Sequence, residues 1–199
     1  MVNPRASNDD LTAKARIRNA ALDLYSQYGE GRISLRAIAS EAKVSLGVVQ
    51  HHFKTKAKLR EAVDQLVVDY FAQAIADVST EGSPSQIGAA RDAAVRDMLL
   101  DNPTVVNYLR RALLEPSESR VHLLDVIVDL TRREVSALRQ SGRASTNRRE
   151  SVQIARILLQ QMGELFLQPM IDAVWNRVAE PGDTSKPRLR VTIDQLSRT

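Results

Sequence analysis

Residues Ser34 to Arg60 read SLRAIASEAKVSLGVVQHHFKTKAKLR, and this stretch decides the fold. Two short helical patterns flank a tight break, and a third helix opens on Lys54, Thr55, Lys56 and Lys58. That is the layout of a helix-turn-helix, whose second helix can lie in the DNA major groove. Ser34 can cap the first helix, with Leu35, Ile38, Ala39 and Ala42 on its inner face. Ser45 can cap the second, which carries Val48, Val49 and Phe53, and Thr55 can cap the third. Ala39 supplies the small residue where the two helices cross. The turn needs a left-handed residue, usually glycine, and that place falls at Lys43.

The charge of the chain supports the same partner. Over 199 residues the net charge is +4, but residues 1–60 carry 11 Lys or Arg against 5 Asp or Glu, and the remainder is slightly acidic. A basic end that coincides with a helix-turn-helix pattern reads as a phosphate footprint. The chain has no cysteine, which excludes disulfides and cysteine-ligated metal centres and suits a reducing compartment. His51 and His52 are adjacent, so on a helix they point about 100° apart, and no metal site or cofactor is expected. No apolar run reaches the ~18 residues of a membrane span. The first residues lack the apolar core of a signal peptide. A cytoplasmic protein without a membrane partner is the expectation.

Helical periodicity runs through the rest, and strand alternation is absent, so the expected fold class is all-α. Ile17, Ala20, Ala21, Leu24 and Tyr28 mark a helix over 12–28 that Gly29 ends. Leu59, Ala62, Val63, Leu66, Val67 and Tyr70 mark a long helix after Thr55. Further helices are expected over about 85–100, from Pro103 to Leu114, and over 118–139 and 148–178, with Pro169 a kink or break. Polar loops fall at 79–85, 141–147 and 180–187, and a short terminal helix should follow near Leu189, Val191, Ile193 and Leu196. We divide the chain into an N-terminal helix-turn-helix DNA-binding domain, residues 1–55, and a C-terminal helical bundle, residues 56–199.

The helix capped by Ser45 would present Leu46, Gly47, Val48, Gln50 and His51 to the duplex. Gln50 can pair with N6 and N7 of adenine, and Leu46 and Val48 can pack on thymine methyls. Gly47 allows close approach of the backbone. Arg36 could reach a guanine edge or a phosphate, and Lys43 a phosphate. Lys54, Lys56 and Lys58 sit at a helix N-terminus, where cations are unfavourable. The cluster makes sense if a phosphate docks there against free N–H groups. Taken singly, each residue could equally be an ordinary surface side chain.

At this point the chain resembles the TetR family of bacterial transcriptional repressors. The resemblance rests on Tyr28-Gly29, Ser34, Ile38-Ala39, Val44-Ser45, Gly47, and His52-Phe53-Lys54-Thr55-Lys56 followed by Leu59, roughly residues 14–60. It implies a homodimer, an N-terminal DNA-binding domain, and C-terminal helices holding a small-molecule pocket and the dimer interface. Effector binding would then change the spacing of the heads and release a palindromic operator. Ser34 and Lys56 match positions that typically touch phosphate, and Val48, Gln50 and His51 match recognition-helix positions. Family members usually have tyrosine where this chain has Gln50, and glycine where it has Lys43, so operator preference does not carry over.

In the C-terminal bundle, Tyr70, Phe71, Met98, Tyr108, Leu113, Leu124, Met162, Phe166 and Trp175 could line an effector cavity. Arg110, Arg111 or His122 could orient a polar ligand group. Ordinary core packing accounts for the same pattern more often than a pocket does. The helix from Arg148 carries Val152, Ala155, Ile157, Leu158, Leu159, Met162 and Leu165, a band broad enough for a core and a partner helix. The second interface helix would be 170–178 or the terminal one. Two other functions compete with a ligand-responsive repressor. One is a DNA-binding regulator without a small-molecule ligand. The other is a helical-bundle enzyme, for which no cysteine nucleophile, glycine-rich phosphate loop or metal spacing speaks.

Overall fold

The computed structural model describes residues 12–114 and 118–190, without the side chains of 118–120. Among the described residues all regular structure is helical. The elements are α1 (Ala13–Tyr28), a 3-10 turn (Glu30–Arg32), α2 (Leu35–Glu41), α3 (Leu46–Phe53), α4 (Lys56–Ala76), α5 (Pro84–Asp101), α6 (Pro103–Leu114), α7 (Glu118–Gln140) and α8 (Glu150–Val178). The chain forms two compact units, Met1–Leu130 and Thr131–Thr199.

The first unit is organised around α1, against which α2, α3, α4 and α6 all pack. Ile17, Ala20, Ala21, Leu22 and Tyr25 are its buried apolar side chains, Asn19 and Ser26 are buried beside them, Leu24 is half-buried, and Tyr28 is 52% exposed. The buried face therefore runs Ile17–Ala21–Tyr25 rather than through Tyr28. Gly29, at φ 81°, ends the helix and donates its N–H to the Tyr25 carbonyl. The last carbonyls of α1 are capped from α6: the Arg111 guanidinium donates to Ser26 O at 2.9 Å and Gln27 O at 2.8 Å. A cation at a helix C-terminus also opposes the negative end of the macrodipole.

Serine and threonine caps set the starts of α2, α3 and α4. Ser34 Oγ accepts from Ala37 N–H at 3.2 Å, Ser45 Oγ from Val48 N–H at 3.3 Å and Thr55 Oγ1 from Lys58 N–H at 3.1 Å. α2 ends in a Schellman arrangement: Lys43 N–H donates to Ser40 O and Val44 N–H to Ala39 O. That geometry needs a left-handed residue, and Lys43 supplies it at φ 54°.

A polar ridge runs down α4 inside the same unit, carried by Lys56, Arg60 and Asp64 at successive four-residue steps. Lys56 Nζ donates to the Glu30 carbonyl at 2.6 Å, and Arg60 lies 3.8 Å from the Glu30 carboxylate. Asp64, 1% exposed, accepts from the Tyr108 hydroxyl of α6 at 2.5 Å and lies 2.8 Å from His122 Nδ1 of α7. A buried carboxylate persists only with such partners.

The second unit holds the end of α7, α8 and the segment after it. Arg139 closes the α7–α8 connection by donating to Ser145 O, Arg148 O and Gln153 Oε1. Two expectations change here. α8 is one helix from Glu150 to Val178 with Pro169 inside it, so 170–178 is not a separate helix. A proline removes one N–H from the ladder, and the turns on either side of it carry the 29-residue helix through. Leu189 lies in irregular structure rather than helix. Gln168 clamps the backbone there, donating to Pro187 O at 3.3 Å and accepting from Leu189 N–H at 3.0 Å. Gln160 also donates to Leu189 O at 3.2 Å, and Lys186 pairs with Asp172 at 2.7 Å. Val191, Ile193 and Leu196 lie outside the described residues.

Two stability measurements follow. Tyr108→Phe strips a donor from a buried carboxylate and should lower unfolding free energy by about 1–3 kcal/mol in a urea melt. Lys43→Gly relieves a left-handed lysine and should raise it by about 0.5–1 kcal/mol, the strain relief being partly offset by unfolded-state entropy.

Candidate nucleic-acid interface

A short helix presents a usable surface only if its back is pinned. In α3 the back is Val49 at 0% and Phe53 at 5% exposure. The outward row is Gly47, Gln50 and His51, all exposed, at the three- and four-residue steps of one helix face, with the exposed Lys54 just past the helix end. Leu46 and Val48 are half-buried beside it. The residue types thus sort by depth: apolar carbons at the flanks, polar and cationic groups at the crest.

Both ends of α3 carry exposed cationic residues in left-handed backbone. Lys43 precedes it, and Lys54 follows it at φ 52° and ψ −48°. The Thr55 N–H donates back to the Phe53 carbonyl across Lys54. That is a γ-turn of the strained type, uncommon for a side-chain-bearing residue. It swings the chain from α3 into α4 within two residues and leaves the Lys54 ammonium at the surface. Lys14 Nζ of α1 lies 6.0 Å from the Phe53 ring centroid, which adds a cation beside Lys54 at this end of α3.

The lysines around Thr55 do not act as one cluster. Lys54 is exposed, Lys56 is half-buried and holds the Glu30 carbonyl, and Lys58 pairs with Glu61 at 2.6 Å. An ammonium has three donors, so Lys56 can keep that contact and still face an anion. Ser34, Arg36 and Ser45 are exposed. The two serine oxygens accept backbone N–H groups as caps, which leaves each hydroxyl proton available to an acceptor outside the protein.

Two features of the face were not singled out from the sequence. His52 is exposed and meets His51 edge-on, with ring centroids 5.3 Å apart, so hydrogen-bonding ring nitrogens extend round a second side of α3. The Lys54 γ-turn has no composition signal, since neither glycine nor asparagine marks it. Gly47 is informative for the opposite reason. A Cβ built there meets nothing nearer than Ser45 Oγ at 3.8 Å, so the fold itself does not demand glycine at this position.

The residues considered for an effector pocket divide between the units. Tyr70, Met98 and Tyr108 are buried in the first, where Phe71, Leu113 and Leu124 are half-buried. Met162, Phe166 and Trp175 are half-buried on α8 in the second. The polar candidates Arg111 and His122 are engaged with the α1 carbonyls and with Asp64. Among the described residues no group of three or more His, Cys, Asp or Glu could hold a metal ion, and no helix is long and apolar enough to cross a membrane.

Comparison with known proteins places this geometry. Residues 17–63, which contain α2, α3 and the first turns of α4, match the family model of bacterial regulatory proteins, tetR family. A stretch of 60 residues is 50% identical to the HTH-type transcriptional regulatory protein RaaS of Mycobacterium tuberculosis, covering 30% of this chain and 28% of that protein's length. The fold is shared more widely. A transcriptional regulator from Rhodococcus sp. Rha1 superposes with a TM-score of 0.64 at 20% identity over 82% of this chain and 87% of its own. The multidrug binding protein EbrR, complexed with malachite green, superposes with a TM-score of 0.60 at 21% identity over 82% of this chain and 96% of its own. The capped helices, the exposed row on α3 and the sequence match agree over the same residues: residues 17–63 are those of the bacterial regulatory proteins, tetR family, and the chain spans under a third of the length of the curated relative it matches.

Proposed function

We propose that this protein is a homodimeric transcription regulator that binds a palindromic operator in double-stranded DNA through residues 1–55, and a repressor released when a small molecule binds within residues 56–199. The observation that carries the reading is the outward row Gly47–Gln50–His51, followed by the exposed Lys54, on a helix whose other side is buried. Gln50 reads adenine, Leu46 and Val48 meet thymine methyls, and Arg36 takes a base edge or a phosphate. Ser34, Lys43, Ser45, Lys54 and Lys56 hold the phosphate backbone on either side, as the N-termini of α2, α3 and α4 favour. Gly47 is small because the duplex backbone comes close there.

Dimerisation is supported by α8. Leu159, Leu167, Met170, Val174 and Val178 are 46–64% exposed and fall within an arc of about 100° on the helix. Such a stripe on a surface helix calls for a partner, and two copies meeting there by a twofold axis would present two reading heads to a palindrome. The effector part rests on the apolar candidates of the first unit, Tyr70, Phe71, Met98, Tyr108, Leu113 and Leu124, and on the fold shared with EbrR, a protein that holds malachite green.

The reading predicts how binding responds to salt and to substitution. Affinity for a duplex selected from a random pool should fall with salt at a log–log slope near −7, for ~8 phosphates contacted by the dimer; a flat response would overturn it. Gln50→Ala should relax preference at one position per half-site at a cost of about 1–3 kcal/mol, whereas Lys54→Ala should weaken all sequences alike. Gly47→Ala should leave the fold intact or gain up to about 1 kcal/mol in stability, yet lose DNA affinity as measured by fluorescence anisotropy.

A further inference from the structure

The DNA-reading surface does not use the Asp64–Tyr108–His122 group, although that group lies on the helix whose first turn would meet phosphate. Three helices converge on one buried carboxylate. Oδ1 of Asp64 accepts from Tyr108 of α6, and Oδ2 faces His122 Nδ1 of α7. The carboxylate side chain is 1% exposed, whereas the imidazole is 35% exposed. One end of the ring is thus fixed on a buried anion and the ring is open to solvent. A proton can add at Nε2 without breaking the contact at Nδ1.

The charged and titratable groups around this ring come from three helices. Asp64 and Glu61 of α4 act on it electrostatically, and Tyr108 of α6 shares its acceptor. Arg60 of α4 acts on both carboxylates and is itself paired with Glu30. On α7, Asp125 stands three residues further on and is exposed. Neutral imidazole gives the Asp64 anion a hydrogen bond in which only the acceptor is charged. Imidazolium adds the attraction of opposite charges, where burial has raised the cost of the anion.

We propose that His122 and Asp64 form a proton-operated latch. Protonation of the imidazole tightens the tie between α4 and α7, and so holds the reading head in its binding geometry. This rests on the DNA-binding reading above. Tightening the tie removes ordering cost from the bound state, so DNA affinity rises on acidification. The sign is that of a base gaining a partner: the contribution is present at low pH and fades as the imidazole loses its proton. It has a lower limit as well. Burial raises the Asp64 carboxyl above the usual aspartate range, against the opposing pull of the Tyr108 and His122 hydrogen bonds, and once Asp64 takes a proton the latch loses its anion.

The test compares wild type with His122→Asn, which keeps a neutral donor near the Nδ1 position but cannot be protonated. Both proteins are titrated with one selected duplex between about pH 8 and about pH 6, the interval in which an ordinary imidazole changes charge. His51 and His52 are present in both, so the affinity ratio isolates His122. The ratio should grow by about fivefold on acidification, and the growth should vanish in an Asp64→Asn background. A ratio that is constant, that shrinks, or that grows equally in that background overturns the latch. If wild type binds no duplex at any pH, the DNA-binding reading fails instead. The latch is then judged by urea unfolding: a stability gap between the two proteins that widens with acid supports it, and a constant gap overturns it.

Discussion

Eight residues of helix do not hold their shape in water, because the cost of nucleating a turn is repaid only over longer lengths. α3 is eight residues long, and everything proposed for this protein depends on its being rigid. Burial of Val49 and Phe53 supplies the rigidity, with the Ser45 cap at one end and the Lys54 γ-turn at the other. Because the pinning uses one side only, the opposite side is free to carry groups chosen for something outside the protein. Polar and cationic side chains collect there, together with a glycine the fold does not need.

The helix that follows makes the head part of a larger body. α4 is tied to the turn after α1 by Lys56 and Arg60, and to α6 and α7 through Asp64. α6 is in turn tied to the end of α1 by Arg111. These contacts are directional and partly buried, so they fix orientation more sharply than apolar packing does. A change in α6 or α7 therefore has short polar routes to the head. The apolar residues that could receive an effector share helices with those routes: Tyr108 itself is both a member of the Asp64 group and one of the cavity candidates.

Much of this was legible in the sequence because it is local. Ser34, Ser45, Thr55 and Pro103 mark helix starts by side-chain or ring chemistry that acts within a turn, and the structure begins helices there; α5 begins at Pro84, inside the stretch expected to be loop. The left-handed place at Lys43 follows from its position between two periodic segments. What was missed joins residues far apart along the chain. Asp64 and His122 are separated by 58 positions, and Arg111 and Ser26 by 85; no spacing rule connects them. Lys56 looked like a phosphate ligand alone because its carbonyl partner is 26 residues earlier. Pro169 looked like a break because its local penalty is visible and the turns that absorb it are not. Leu189 fits a helical pattern, but side-chain amides from α8 capture its backbone first.

The central claim is that the outward side of α3, with the caps beside it, is the surface that meets DNA. Amide hydrogen exchange with and without a selected duplex addresses this residue by residue in the full chain. The account predicts slowed exchange concentrated at Ser34–Ala37 and Ser45–Lys58, strongest at the first amides of each capped helix. Slowing confined to α8, or no change in residues 34–58 while the duplex is bound, would contradict it.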